Sequence, residues 1–201
     1  MKKYKCFFFF FALTIFILFT ILVVTNNVAW FDDPIYHWLH SLFHDQTTTF
    51  FLIITSLSSP LVLIVMSLLL LITNKDHKLS LLVILNLLLS TIGNTILKGI
   101  FLRERPSDFP LIDETGYSYP SGHSMISLSF YGFLIYIIWQ TNWSKRTKII
   151  CSIVLGLIIF LIGCSRIYLR VHYPSDVVAG FAISFVYLCI FIHIIKKKWS
   201  V

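Results

Sequence analysis

Residues 148–166 read Lys-Ile-Ile-Cys-Ser-Ile-Val-Leu-Gly-Leu-Ile-Ile-Phe-Leu-Ile-Gly-Cys-Ser-Arg, an uncharged run from Ile149 to Ser165 with a cation at each end. A bilayer's hydrocarbon core of about 30 Å takes about 20 apolar residues of helix, so this run reads as a membrane span. Working outward, five more runs are of the same kind: about Phe7 to Val24, Phe51 to Thr73, Leu79 to Leu97, Ser124 to Trp139 and Val177 to Ile195. The fold class expected is therefore all-α, an integral membrane bundle of six transmembrane helices in one domain over residues 1–201. The first run follows the basic stretch Met1-Lys2-Lys3-Tyr4-Lys5, as a signal peptide would. Its apolar stretch exceeds the usual core of about 7–15 residues and no small-residue cleavage site follows, so it is read as a retained helix.

Composition agrees. Of 201 residues 57% are hydrophobic and 12% charged, against about 25% charged in a soluble domain, which excludes an ordinary soluble enzyme and a disordered chain. Cys6, Cys151, Cys164 and Cys189 lie in or beside apolar runs without CxxC spacing, so neither a disulfide framework nor a zinc site is signalled. Cys164 and Arg170 match the C-x5-R spacing of cysteine phosphatases, but the residues between them are not a glycine-rich phosphate loop.

The net charge of +7 would suggest a nucleic-acid partner if position were ignored. Six spans place both termini on one side, together with the segments 74–78 and 141–148. That side holds Lys2, Lys3, Lys5, Lys75, Lys78, Lys145, Arg146, Lys148, Lys196, Lys197 and Lys198 with Asp76 as its one acid, a net +10; the opposite side is −3. Positive charge concentrates in cytoplasmic loops, so the asymmetry puts both termini inside and removes the nucleic-acid reading. Short basic inner loops suggest a bacterial plasma membrane.

Five cations remain outside: Lys98, Arg103, Arg105, Arg166 and Arg170. Cations where topology disfavours them need a reason, and anion binding supplies one. Lys98-Gly-Ile-Phe-Leu-Arg-Glu-Arg105-Pro106 closes the third span, Pro120-Ser121-Gly122-His123 opens the fourth, and Ser165-Arg166 ends the fifth ahead of His172 and Asp176. Arg105, Arg166 and Lys98 can surround the oxygens of a phosphate dianion. Ser121 and Gly122 stand where a helix begins, so backbone N–H groups can add to an anion site, with Gly122 permitting close approach. Arg103 and Arg170 are expected at the surface or against lipid headgroups. Glu104 and Asp108 are either partners that neutralise the empty site or solvated loop charges.

In this order, K-x6-RP, PSGH and SR-x5-H-x3-D resemble the three signature motifs of the type 2 phosphatidic acid phosphatase superfamily, which includes integral-membrane lipid phosphatases and vanadium haloperoxidases. The motif-bearing region is 98–176. The resemblance implies a lipid phosphatase with no metal or cofactor, in which His172 is the nucleophile, forming a phosphohistidine. It also implies that Asp176 orients His172, that His123 protonates the leaving group and then activates water, and that Lys98, Arg105, Ser121, Gly122 and Arg166 bind phosphate. The expected substrate is a lipid phosphate or diphosphate at the outer face, with undecaprenyl diphosphate, phosphatidylglycerophosphate and phosphatidic acid as candidates. A lipid-linked phosphotransferase with the same intermediate is the alternative. A transporter is disfavoured because the charges gather at one face and not at the midplane.

After Asp33-Pro34, a plausible cap and first helical residue, Ile35, Trp38, Leu39, Leu42 and Phe43 share one helical face, with His37, His40 and His44 near another. This predicts a short interfacial helix on the outer leaflet, with a divalent-metal site on the histidines as the competing reading.

Overall fold

The computed structural model describes residues 3–73, 76–106 and 110–199, and among these it contains helices and no strands. The elements are α1 (Lys3–Val24), α2 (Ala29–His40), α3 (Asp45–Ser56), α4 (Pro60–Thr73), α5 (His77–Phe101), α6 (Gly122–Gln140), α7 (Lys145–Tyr168) and α8 (Pro174–Trp199). Five are long and apolar enough to cross a bilayer, and α3 with α4 makes a sixth, bent span. The six-span bundle with a short extra helix is thus the architecture found. Helix α8 packs most extensively on α1 and α6; α6 also packs on α5 and α7, and α7 on α3. Phe130, Phe133, Ile162 and Leu63 fill the centre.

The run from Phe51 to Thr73 is not one straight helix, as expected from hydropathy, but two segments meeting at 47°. Pro60 lacks an N–H and cannot continue a helix begun upstream, so it opens α4 instead. The break frees backbone carbonyls at membrane depth, where water cannot satisfy them. The Tyr131 hydroxyl donates to Leu57 O at 2.7 Å and takes up one of them. The break also ends α3 at the height where Thr55 meets α7.

Polar groups within the bundle face protein. Asn86, Ser90 and Asn94 lie on one face of α5 at intervals of four, all buried. Asn86 Nδ2 donates to Ser129 O and Ser129 Oγ donates to Asn86 Oδ1, both at 3.0 Å, while the Tyr187 hydroxyl donates to Asn86 O at 3.1 Å. Each interhelical bond of this kind contributes only about 0.6 kcal/mol in lipid, so together they fix register more than they add stability. Small residues allow close approach where site-bearing helix ends cross. A Cβ on Gly180 of α8 would stand 2.9 Å from the Ser121 carbonyl at the start of α6.

Helix α2 begins at Ala29, a turn earlier than expected, and carries Pro34 inside it. Its buried residues are Asp32, Tyr36 and Leu39, while Trp38 is exposed, as is Phe43 beyond its end. Of the apolar grouping, Trp38, Leu42 and Phe43 are thus left to face lipid, while Leu39 and in part Ile35 pack on protein. A helix between protein and lipid is apolar on two sides, and hydropathy cannot tell them apart. His44 is the N-cap of α3, with Nδ1 accepting from Gln46 N at 3.3 Å. No group of three His, Cys, Asp or Glu side chains is arranged to hold a metal among the described residues, which do not include the His40 side chain.

The crossing at Gly180 gives a test. Gly180→Ala should lower thermal stability in detergent by about 1–3 kcal/mol, since the clash is with backbone. Gly156→Ala in α7, where an added Cβ meets nothing within 4 Å, should leave the unfolding temperature unchanged or slightly higher.

Candidate active site

The C-terminal ends of α5 and α7 and the N-terminal ends of α6 and α8 gather at one end of the bundle, with residues 102–106 and 110–121 and helix α2 folded over them. Leu102 ends α5 in a left-handed conformation (φ 49°), and beyond it Arg103 and Arg105 are part-buried while the intervening Glu104 is exposed.

Asp176 lies in the first turn of α8, fully buried. One carboxylate oxygen accepts from Ser118 Oγ, from Tyr173 N at 2.9 Å and from His172 Nδ1 at 3.3 Å; the other accepts from Arg103 Nη1 at 2.6 Å. On the far side of the imidazole, Arg105 Nη1 lies 3.2 Å from His172 Nε2. A guanidinium can only donate, so Nε2 is the unprotonated nitrogen and Nδ1 carries the proton toward Asp176. Burial holds His172 well below the usual imidazole range, at about 4, against the opposing pull of Asp176. The imidazole is therefore neutral at physiological pH, with its lone pair directed at the Arg105 side.

The other cations converge there. Arg166, in the last turn of α7 and 1% exposed, donates from Nη1 to Thr55 Oγ1 at 2.7 Å and from Nη2 to Glu114 Oε1. Arg105 Nη2 is 3.6 Å from the other oxygen of Glu114. Arg105 also donates to the carbonyls of Val171, Gly116 and Thr115 at 2.8–3.0 Å, and Lys98 Nζ donates to Tyr117 O. Burial lowers the Arg105 pKa, with Glu114 and Asp176 opposing. His123, in the first turn of α6, lies within electrostatic reach of Arg166, His172, Lys98 and Arg105. Ser121 caps α6, accepting from Ser124 N at 3.5 Å, and its own N–H donates to Asp176 O at 3.0 Å. The close approach at Gly122 is that of Asn94, whose Oδ1 would be 2.9 Å from an added Cβ. All eight residues singled out in the sequence thus meet at one end of the bundle.

Four further residues belong to this cluster and were not legible as such. Arg103 is no surface or headgroup contact: it bridges Asp176 and Asp32 of α2, with Nη2 2.8 Å from Asp32 Oδ2, and its guanidinium lies 4.1 Å from the centre of the Tyr173 ring. Two buried carboxylates require a cation, and sequence spacing does not reveal that α2 supplies one of them. Asp32 also accepts from Ser175 N and Ser175 Oγ, both at 2.7 Å. Ser118 was signalled only by lying beside Pro120-Ser121-Gly122-His123. Glu114 takes the neutralising role considered for Glu104 and Asp108; Glu104 is exposed, and Asp108 lies outside the described residues.

Residues 79–200 match the PAP2 superfamily. The chain belongs to that family. Within PAP2, the chain is 37% identical over 91 residues to phosphatidylglycerophosphatase B of Bacillus subtilis, a match covering 45% of each chain. It is 27% identical over 115 residues to undecaprenyl-diphosphatase of Sulfolobus acidocaldarius, covering 54% of this chain and 52% of the other. The sequence matches thus span about half the length of these relatives. In structure, the chain resembles a transmembrane PAP2-type phosphatidylglycerolphosphate phosphatase from Bacillus subtilis, with a TM-score of 0.80 and 26% identity over 92% of this chain and 96% of that one. Aquifex aeolicus LpxE follows at 0.67 and 26%, over 81% and 94%.

Two outcomes follow from the PAP2 site geometry. Arg103→Met leaves two buried carboxylates without their cation and should cost about 3–5 kcal/mol of stability, seen as a lowered unfolding temperature. Glu104→Ala, on the exposed residue beside it, should change stability by less than about 0.5 kcal/mol. The depressed His172 pKa sets a pH dependence. Between pH about 6.5 and 4 the unfolded chain protonates this histidine while the folded chain does not, so folded stability is lost as pH falls through that window. The unfolding temperature of the wild type should therefore fall relative to that of His172→Gln over this range and level off below it.

Proposed function

We propose that this PAP2 protein hydrolyses a terminal phosphate from a lipid phosphate or diphosphate through a phosphohistidine on His172. The observation that carries the reading is the directed lone pair: His172 Nε2 faces Arg105, and Arg105 and Arg166 share a single anionic group, so an anion seated there lies beside the nucleophile.

The chemistry follows from the neighbours. Lys98, Arg105 and Arg166 bind the nonbridging oxygens and gain strength as charge builds on them, in a site mostly closed to water. Nε2 of His172 attacks phosphorus while the bond to the leaving oxygen breaks, and Asp176 stabilises the cation that develops on the imidazole by holding Nδ1–H. His123 gives the leaving oxygen its proton, then takes one from the water that attacks the phosphohistidine, releasing inorganic phosphate and restoring His172. Positive charge on the cations does the work a metal ion would do, so the reaction is metal-independent. A cavity of about 450 Å³ bordered by Arg105, Ile112, Glu114, Arg170 and Val171 opens beside Arg105 and gives room for a headgroup.

The names of the relatives, phosphatidylglycerophosphatase B and undecaprenyl-diphosphatase, support a lipid substrate bearing a terminal phosphate. The charge asymmetry of +10 against −3 supports a plasma-membrane protein with both termini cytoplasmic and the site at the outer face. An outward site favours undecaprenyl diphosphate, which is released there.

Purified protein with EDTA present and no acceptor should release phosphate from at least one of phosphatidic acid, phosphatidylglycerophosphate and undecaprenyl diphosphate. His172→Ala should reduce this by at least about 10³-fold and abolish the phosphoenzyme. In sealed right-side-out vesicles the phosphate should appear outside. Near-normal release by His172→Ala would remove the nucleophile assignment, a requirement for an acceptor would make the protein a transferase, and phosphate appearing only in the lumen would reverse the orientation.

A further inference from the structure

The cations of the site are already occupied by the protein's own groups. Two oxygens of one carboxylate, Glu114, face two guanidiniums, that of the buried Arg166 and that of Arg105. Two nonbridging oxygens of a phosphate would meet the same pair in the same manner. The Arg105 that contacts Glu114 also contacts His172 Nε2, so Glu114 stands where a reacting phosphate must sit. Its backbone is held in place by the same cations: Arg105 takes the carbonyls of Thr115 and Gly116, and Lys98 that of Tyr117. Glu114 is thus a tethered anion, present at high effective concentration beside the site.

A ligand enters only by displacing it, and the charge of the ligand decides how favourable that exchange is. Most headgroups of the surrounding bilayer are phosphodiesters, each with one negative charge on its phosphate. Exchanging Glu114 for such a group swaps one negative charge for one and gives no electrostatic gain to offset the loss of a tethered partner. A phosphomonoester, or the terminal phosphate of a diphosphate, brings up to two charges to Lys98, Arg105 and Arg166. Because Arg166 is buried, the extra charge counts for more than it would in water.

We propose that Glu114 is a specificity-determining residue that excludes phosphodiester headgroups from the site and admits dianionic phosphate ends. This rests on the lipid phosphatase reading and adds to it a reason why an enzyme embedded in phosphodiesters is not blocked by them. Displacing Glu114 costs either ligand the same, so only the one that pulls harder on the cations occupies the site. Glu114→Gln keeps the shape of the side chain and removes its charge, so a monoanion then gains attraction to uncompensated cations.

The test uses the full-length protein in detergent and two soluble probes at pH 8, methyl phosphate as the dianionic monoester and dimethyl phosphate as the monoanionic diester. Their dissociation constants are measured from ligand-induced shifts in unfolding temperature, which need no turnover. In the wild type dimethyl phosphate should bind far more weakly than methyl phosphate. In Glu114→Gln both constants should fall by about tenfold or more, which is about 1.4 kcal/mol, because displacing the tethered carboxylate costs either ligand the same. Glu114→Ser is a second variant on the same loop and should behave alike. In mixed micelles, phosphatidylglycerol should become a correspondingly stronger competitive inhibitor of phosphatidic acid hydrolysis by either variant. Unchanged constants in both variants, or a wild type that binds the two probes equally, would overturn the proposal. If both constants fall as expected but no lipid phosphate is hydrolysed, the role of Glu114 stands and the phosphatase reading falls.

Discussion

The carboxylate of Asp176 has no exposed surface, and burying a negative charge is costly unless donors surround it. It receives a guanidinium, a hydroxyl, a backbone N–H and an imidazole N–H, from Arg103, Ser118, Tyr173 and His172. These donors come from residues 102–106 and 110–121 and from the start of α8, so satisfying one charge brings together segments about 70 residues apart in sequence. Arg103 extends the arrangement to Asp32, which fastens α2 across the same end of the bundle. Burial raises the pKa of Asp32, while its bonds to Arg103 and Ser175 oppose the shift. The tautomer and orientation of His172 depend on this arrangement.

Lys98, Arg105 and Arg166 obey the same requirement. Before any substrate arrives, Lys98, Arg105 and Arg166 are bonded to loop carbonyls, to Thr55 and to Glu114. Their side chains are preorganised, and binding exchanges one set of acceptors for another instead of ordering free side chains. Under the proposed function this would limit the entropic cost of binding.

The membrane fold supports the site through irregularities as much as through its helices. The break before Pro60 ends α3 where Thr55 can accept from Arg166, and Tyr131 takes up a carbonyl that the break frees. Non-helical backbone at membrane depth is tolerated only where protein satisfies it. Gly180 lets α8 approach α6 closely enough for Ser121 N–H to reach the Asp176 carbonyl, which joins the second and third motif segments.

Six spans, their common basic side and the eight residues of the motif-bearing region were legible in the amino-acid sequence, because hydropathy, charge and short spacing are local properties. The cap at Ser121 and the pairing of His172 with Asp176 four residues on are local in the same sense. The bend at Pro60 had a visible cause, yet the apolar run continued across it and hid it. Arg103, Asp32, Ser118 and Glu114 acquire their roles only when distant segments meet. An acid in an amphipathic helix and an acid in a polar loop look alike on paper, and which one is buried against a guanidinium is decided by packing. The sequence alone therefore determined that this is a membrane protein carrying the PAP2 motifs at one face. Only the tertiary structure decided which carboxylates hold the cations in place, because pairing a buried charge is a property of the assembled site.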